Sequence, residues 1–157
     1  MILDSYTWSL ETAWRKLCQE HDECIRILEP DLMHDDNHQL MARWRPPSAG
    51  FLKLNSDGSY KEDAQVMGGV GLIRDSLGKW ICGFISTYRE ATNSPFLAEA
   101  LAMRDGLILA WERGVRNIIC NSDCQELMQI ARDSARAIHH VHGWVLTEIQ
   151  NLLSRSW

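Results

Sequence analysis

Three carboxylates stand out because of where they sit. Asp57 follows the alternating run FLKLNS at 51–56 and is followed in turn by Gly58 and Ser59. Glu99 lies inside SPFLAEALAMRDGLILAWERG (94–114), with Ala102, Met103, Gly106 and Ala110 at helical spacing around it. Asp123 comes straight after the apolar stretch of VRNIICNSD (115–123). Each acid falls at the end of an element, and two lie among neighbours too apolar to give them ion pairs. Carboxylates brought together repel, and one stays protonated unless a cation joins them. A cluster that offers only oxygen suits Mg²⁺ or Mn²⁺. Each acid also has a plain explanation. Asp57 could be a turn residue ahead of Gly58. Asp123 could cap a helix, with Ser122 as its competitor. Glu99 could be a first-turn carboxylate favoured by the helix dipole. Convergence of the three in space would favour chemistry over these readings.

The elements that must carry them are legible from periodicity. FLKLNSDGSY (51–60) alternates and reads as a strand with Asp57 at its far end. YKEDAQ is a polar connection. MGGVGLIRD (67–75) is a second strand whose glycines predict a bulge or a close backbone approach. DSLGKW is a turn, and KWICGFISTYRE (79–90) a third strand. Short polar connections make these three an antiparallel set. The period then becomes helical. Ser94 is the N-cap, Pro95 the first helical residue and Gly114 the stop. The face of small residues around Glu99 lets this helix lie close on the sheet and turns Glu99 toward it. The strand at NIICNS follows a helix and so joins the sheet by a parallel crossover. Two helices follow, DCQELMQIARDS and HGWVLTEIQNLLSRSW. The order βββαβαα predicts an α/β domain with a mixed sheet flanked by helices. Ligands gather beyond strand ends in open sheets of this kind.

The chain has 157 residues and a hydrophobic fraction of 45%, enough for one domain with a real core. RWRPPSAG (43–50) is the predicted boundary, since Pro-Pro favours extended chain. Residues 1–43 read as a helical N-terminal extension and linker, with Trp8, Trp14, Leu17, Ile25 and Leu28 at irregular helical spacing. Residues 44–157 form the α/β domain. No apolar run is long enough to cross a membrane, and the N-terminus lacks the basic region of a signal peptide. Five cysteines, an odd number with no C-x-x-C, argue against a disulfide framework or a zinc site and point to an intracellular protein with reduced thiols. Cys18, His21 and Cys24 have an awkward spacing for a metal. Net charge is −5, with −4 carried by residues 1–45 and −1 by residues 46–157. A near-neutral domain argues weakly against nucleic acid. Bound cations can supply the positive charge it lacks.

Taken together, RWRPPSAGFLKLNSDGSY, GGVGLIRDSLGKW, SPFLAEALAMRDGLILAWERG and IICNSDCQELMQ resemble the type-1 ribonuclease H domain. More narrowly they resemble the plant version related to the reverse transcriptases of non-LTR retroelements. The resemblance covers about residues 44–155 and rests on D-G-S, A-E-A-L-A and S-D, in order and well spaced. It implies a five-stranded mixed sheet with flanking helices. The implied activity is endonucleolytic, metal-dependent hydrolysis of the RNA strand of an RNA–DNA hybrid by a two-metal mechanism. The implied catalytic and metal-binding residues are Asp57, Glu99 and Asp123. Asn55, Gly58 and Ser59 would contact substrate, and RNA would be selected through its 2′-hydroxyls. The family pattern continues into a fifth strand, a loop with a histidine and a last helix with a fourth acid. This chain stops at LLSRSW, so a C-terminally truncated domain is expected. A nucleic-acid-binding module without catalysis is the alternative, because the fourth carboxylate is missing.

Other residues are expected to do less. His139, His140 and His142 read as a solvated helix start, and Asp133 as an exposed acid at a polar helix end. Trp80, Trp111 and Trp144 fall in periodic segments and read as core rather than as base-stacking platforms.

Overall fold

The computed structural model describes residues 45–90 and 92–157. The expected N-terminal helix, the Cys18–His21–Cys24 group and the boundary at Trp44 lie outside them. Among the described residues eight elements follow one another: β1 (Leu52–Lys61), β2 (Val66–Arg74), β3 (Trp80–Tyr88), α1 (Pro95–Glu112), β4 (Ile118–Asn121), α2 (Gln125–Ile130), α3 (Ser134–Ile138) and α4 (Gly143–Leu153). The strands form one sheet in the order β3-β2-β1-β4. β1 pairs antiparallel with β2, and β2 antiparallel with β3. β4 pairs parallel with β1. This is the mixed sheet that the hairpin spacing and the crossover predict.

The turns follow from local chemistry. Between β2 and β3, Asp75 Oδ1 accepts from the N–H groups of Leu77 and Lys79. Gly78 supplies the positive φ of +79° that closes the turn. At the start of α1, Ser94 Oγ accepts from Leu97 N–H at 3.0 Å and Pro95 occupies the first turn. At its end Gly114 takes φ +75°, the left-handed stop that glycine tolerates best.

The core lies between the sheet and α1. Leu54 of β1, Met67 and Ile73 of β2, and Leu97, Leu101, Met103 and Leu107 of α1 are fully buried. Close approach of helix to sheet depends on missing side chains. A Cβ at Gly106 would press on the Leu54 side chain, and one at Gly58 would collide with the backbone of Ala98 and Glu99. In β2 the glycines leave room for aromatic rings instead: Gly71 lies under Phe84, and Gly69 under Tyr88. α4 buries Val145, Leu146, Ile149 and Leu152 and packs on α1 and α3.

Four expectations need correction. β1 does not end at Asp57 but runs on to Lys61 with β2 beside it throughout. The segment DCQELMQIARDS is not one helix. α2 ends at Ile130, and the Asp133 carboxylate caps a further helix by accepting from Ala135 and Arg136 N–H. Trp80, Trp111 and Trp144 are not core. Trp144 is 45% exposed with the Arg104 guanidinium over its ring. Trp111 is partly exposed, with Arg116 and Arg155 over its ring and Trp157 edge-on to it. Trp80 is likewise only partly buried.

The fourth concerns the histidines. His139 is exposed as expected, but His142 is only 6% exposed. Its Nε2 lies 3.1 Å from Ser94 Oγ, and its ring stacks beside Phe96 and near His140. Burial and the neighbouring His140 hold its pKa below the usual histidine value. The helix start here is a packed joint between α4 and the cap of α1.

A candidate metal centre of three carboxylates

The parallel ladder between β1 and β4 is short. Its partners run from Leu52 with Ile118 to Asn55 with Asn121, where β4 ends. Asp57 and Asp123 each lie two residues beyond that last pair. The two chains are in step at this point, so both acids emerge just past the end of β4. Asp57 therefore lies in mid-strand, beside a gap left by its shorter neighbour.

Glu99 enters from α1. Five residues in from the start of the helix, it lies beyond the first turn, which contains no acid. The dipole explanation therefore loses its geometry. Gly58 lets the helix backbone come down onto β1 at this residue. A Gly58 backbone hydrogen bond and the Ser122 hydroxyl both reach the Glu99 carboxylate, the latter at 3.1 Å from Oε2. Asp123 caps nothing: the N-cap of α2 is Cys124 and receives no side-chain bond there. Ser122 Oγ takes the Cys124 N–H instead, at 3.1 Å.

The three acids meet. One carboxylate oxygen from each of Asp57, Glu99 and Asp123 can be chosen so that all lie within 4.8 Å of one another. Among the described residues this is the one group of three or more potential metal-binding side chains so placed. Asp57 and Asp123 are exposed and Glu99 is partly buried. Burial pushes the Glu99 pKa above the usual carboxylate value, and the charges of Asp57 and Asp123 push it the same way. Its hydrogen bonds to Gly58 and Ser122 oppose that rise.

A cleft of about 330 Å³ opens at the group, lined by Asn55, Ser56, Asp57, Asn121, Ser122 and Asp123. Ser56 is 7% exposed, and its Oγ is buried without a hydrogen-bond partner. A polar atom left without a partner costs stability unless something polar comes to it. The donor set fits a hard divalent cation: it is all oxygen, it carries excess negative charge, and it opens to solvent on one side. Thiolates do not compete. Cys120 is pushed up to about 12 by burial, and Cys124 is raised by burial as well.

The substrate-contact candidates fall in three places. Asn55 lines the cleft, half-buried. Ser59 is exposed further along β1. Gly58 faces the backbone of α1. Asn121 and Ser122 line the cleft but were not among the candidates. The sequence signal was available for Ser122, which directly precedes Asp123, but a capping role absorbed it. Glu148, in α4, forms an ion pair with Arg104 at 3.5 Å.

A sheet with three antiparallel strands, a parallel fourth and helices has the architecture of the ribonucleases H. Solved structures agree. RNase H1 from the archaeon Halobacterium salinarum superposes with a TM-score of 0.55 at 17% identity, covering 66% of this chain and 77% of that one. LC11-RNase H1, isolated from compost, gives 0.57 at 14% identity over 66% of this chain and 75% of that one. A family profile described as reverse transcriptase-like matches residues 55–157, and the chain belongs to that family. A protein of Arabidopsis thaliana, named provisionally as a ribonuclease H protein, is 25% identical over 119 residues. Those residues are 76% of this chain but 19% of the relative, so the chain spans about a fifth of that protein.

Proposed function

We propose that this domain hydrolyses the RNA strand of an RNA–DNA hybrid, with Asp57, Glu99 and Asp123 holding Mg²⁺ or Mn²⁺. The observation that carries this reading is the meeting of three carboxylates within 4.8 Å, one each from a strand, a helix and the loop after β4 of a ribonuclease H fold. The names of the relatives support the substrate class.

The chain's own residues would divide the work. Asp57, on the inner strand β1, would be one of the residues that hold the cation. Glu99 of α1 and Asp123, just after β4, would hold it with Asp57. Two divalent ions bound there would help make hydroxide from water and stabilise the attacking and leaving oxygens of an in-line displacement. Asn55 would orient the backbone of the substrate strand through its amide. Ser59, further along the same strand, would meet the next part of that backbone. Gly58 would serve by holding Glu99 in place rather than by touching substrate. Positioning and charge stabilisation are the whole contribution asked of the protein, as in phosphoryl chemistry generally.

The test is selectivity. One labelled RNA would be offered alone, in an RNA duplex and in an RNA–DNA hybrid, with Mg²⁺ or with EDTA. Cleavage confined to the hybrid and to Mg²⁺ supports the reading. Equal cleavage of all three, or cleavage in EDTA, contradicts it.

A further inference from the structure

We propose that Ser122 is a positioning residue of the carboxylate site, acting on metal affinity through Glu99. The inference rests on the metal-binding reading above and goes beyond it by naming what aims the Glu99 carboxylate.

A serine hydroxyl has one proton to give and two lone pairs to receive with. Ser122 Oγ receives the Cys124 N–H at 3.1 Å. It donates its one proton to Glu99 Oε2, at 3.1 Å. The bond has a fixed direction: backbone of the α2 start, to Ser122, to Glu99. It ties the loop after β4 to the helix α1 at the site. Glutamate has three side-chain torsions to restrain, and a second anchor removes much of that freedom. The backbone hydrogen bond from Gly58 is the first anchor. Together they hold the carboxylate facing Asp57 and Asp123, against the repulsion that would turn it away. The buried, unpartnered Ser56 Oγ on the same cleft is an independent sign that this space is built around something polar.

Hydrogen-bonding partners behind metal ligands typically change metal affinity by about 10- to 100-fold when removed. The experiment uses the full chain, with Ser122→Ala and Ser122→Thr beside the parent. Free Mn²⁺ is followed by electron paramagnetic resonance to give a dissociation constant, and the metal-free melting temperature is recorded for each protein. The expected result has three parts: Ser122→Ala weakens Mn²⁺ binding at least 10-fold, Ser122→Thr stays within about threefold of the parent, and the metal-free melting temperatures of the two variants agree closely. Threonine keeps the hydroxyl, so rescue by it separates aiming from mere packing. If Ser122→Ala binds Mn²⁺ as tightly as a parent that binds it, this inference fails and the metal reading survives. If both variants weaken binding equally, the hydroxyl is not the agent and the inference fails again. A parent that binds no Mn²⁺ overturns the metal reading and this one with it.

Discussion

Asn55 and Asn121 are the last partners of the parallel ladder between β1 and β4, and this one pairing sets Asp57 and Asp123 in step beyond it. The acids meet because β4 is four residues long while β1 is ten. If β4 stops there to leave room for cations, metal should stabilise the fold. At a hundred times its dissociation constant a ligand adds about 2.7 kcal/mol. For a chain of this size that is a rise in Tm of about 5–10 °C. Asp57→Asn should remove most of the rise, and calorimetry with and without Mg²⁺ reads it directly. An unchanged Tm in the parent up to millimolar Mg²⁺ contradicts a preformed site.

Glu99 gives the metal-free protein a pH signature. Its pKa in the fold is raised, first by burial and then by Asp57 and Asp123. The folded state therefore holds a proton that the unfolded chain has lost, over the range from about 4.5 upward to the raised value. In that range the Glu99 contribution to stability falls as pH rises. Glu99→Gln should remove this slope and should make the metal-free chain more stable than the parent at pH 7. Urea melts at pH 4.5 and pH 7 check it, and a parent–variant difference that does not change with pH counts against the shared site.

His142 works in the opposite sense. Its pKa is lowered below 6.5, first by burial and then by His140. The unfolded chain takes up the proton first, so stability falls as pH drops below about 6.5. A charged ring there would also sit at the N-terminal ends of both α1 and α4, where a cation is unwelcome. His142→Gln should flatten the loss between pH 7 and pH 5, measured as the change in Tm across that interval. An equally steep loss in the variant would place the sensitivity elsewhere.

Much of this architecture was readable beforehand. Alternation in FLKLNSDGSY and MGGVGLIRD, then the switch to helical spacing after Ser94-Pro95, marked strands and helix because each pattern buries one face. The three acids were readable because in sequence each falls at the end of an element and two have neighbours too apolar to give them local partners. What the sequence did not show is that pairing with β4 stops at Asn55, two residues short of Asp57, a property of a segment some sixty residues away. The burial of His142 escaped for a related reason: it depends on Ser94 and Phe96 of another helix. Asp133 misled because an acid at a helix end and an acid that caps the next helix look alike in sequence.

Gly58 offers a stability test that replaces none of the acids. A methyl group there meets the backbone of Ala98 and Glu99, which cannot move aside like a side chain. Gly58→Ala should cost about 1–3 kcal/mol, the range for overpacking a tight contact. Ser59→Ala, at an exposed neighbour on the same strand, should stay within about 0.5 kcal/mol. Chemical denaturation of both variants decides. Equal stability of the two would mean that α1 does not rest on Gly58.

The most direct measurement is cleavage of a labelled RNA–DNA hybrid by the parent chain and by Asp57→Asn, in Mg²⁺ and then in Mn²⁺. Cutting of the RNA strand by the parent, lost in Asp57→Asn at an unchanged metal-free fold, is the expected result. Cleavage that persists in the variant would contradict a carboxylate metal centre. Binding of the hybrid with no cleavage by the parent in either metal would contradict the catalytic reading and leave a nucleic-acid-binding domain.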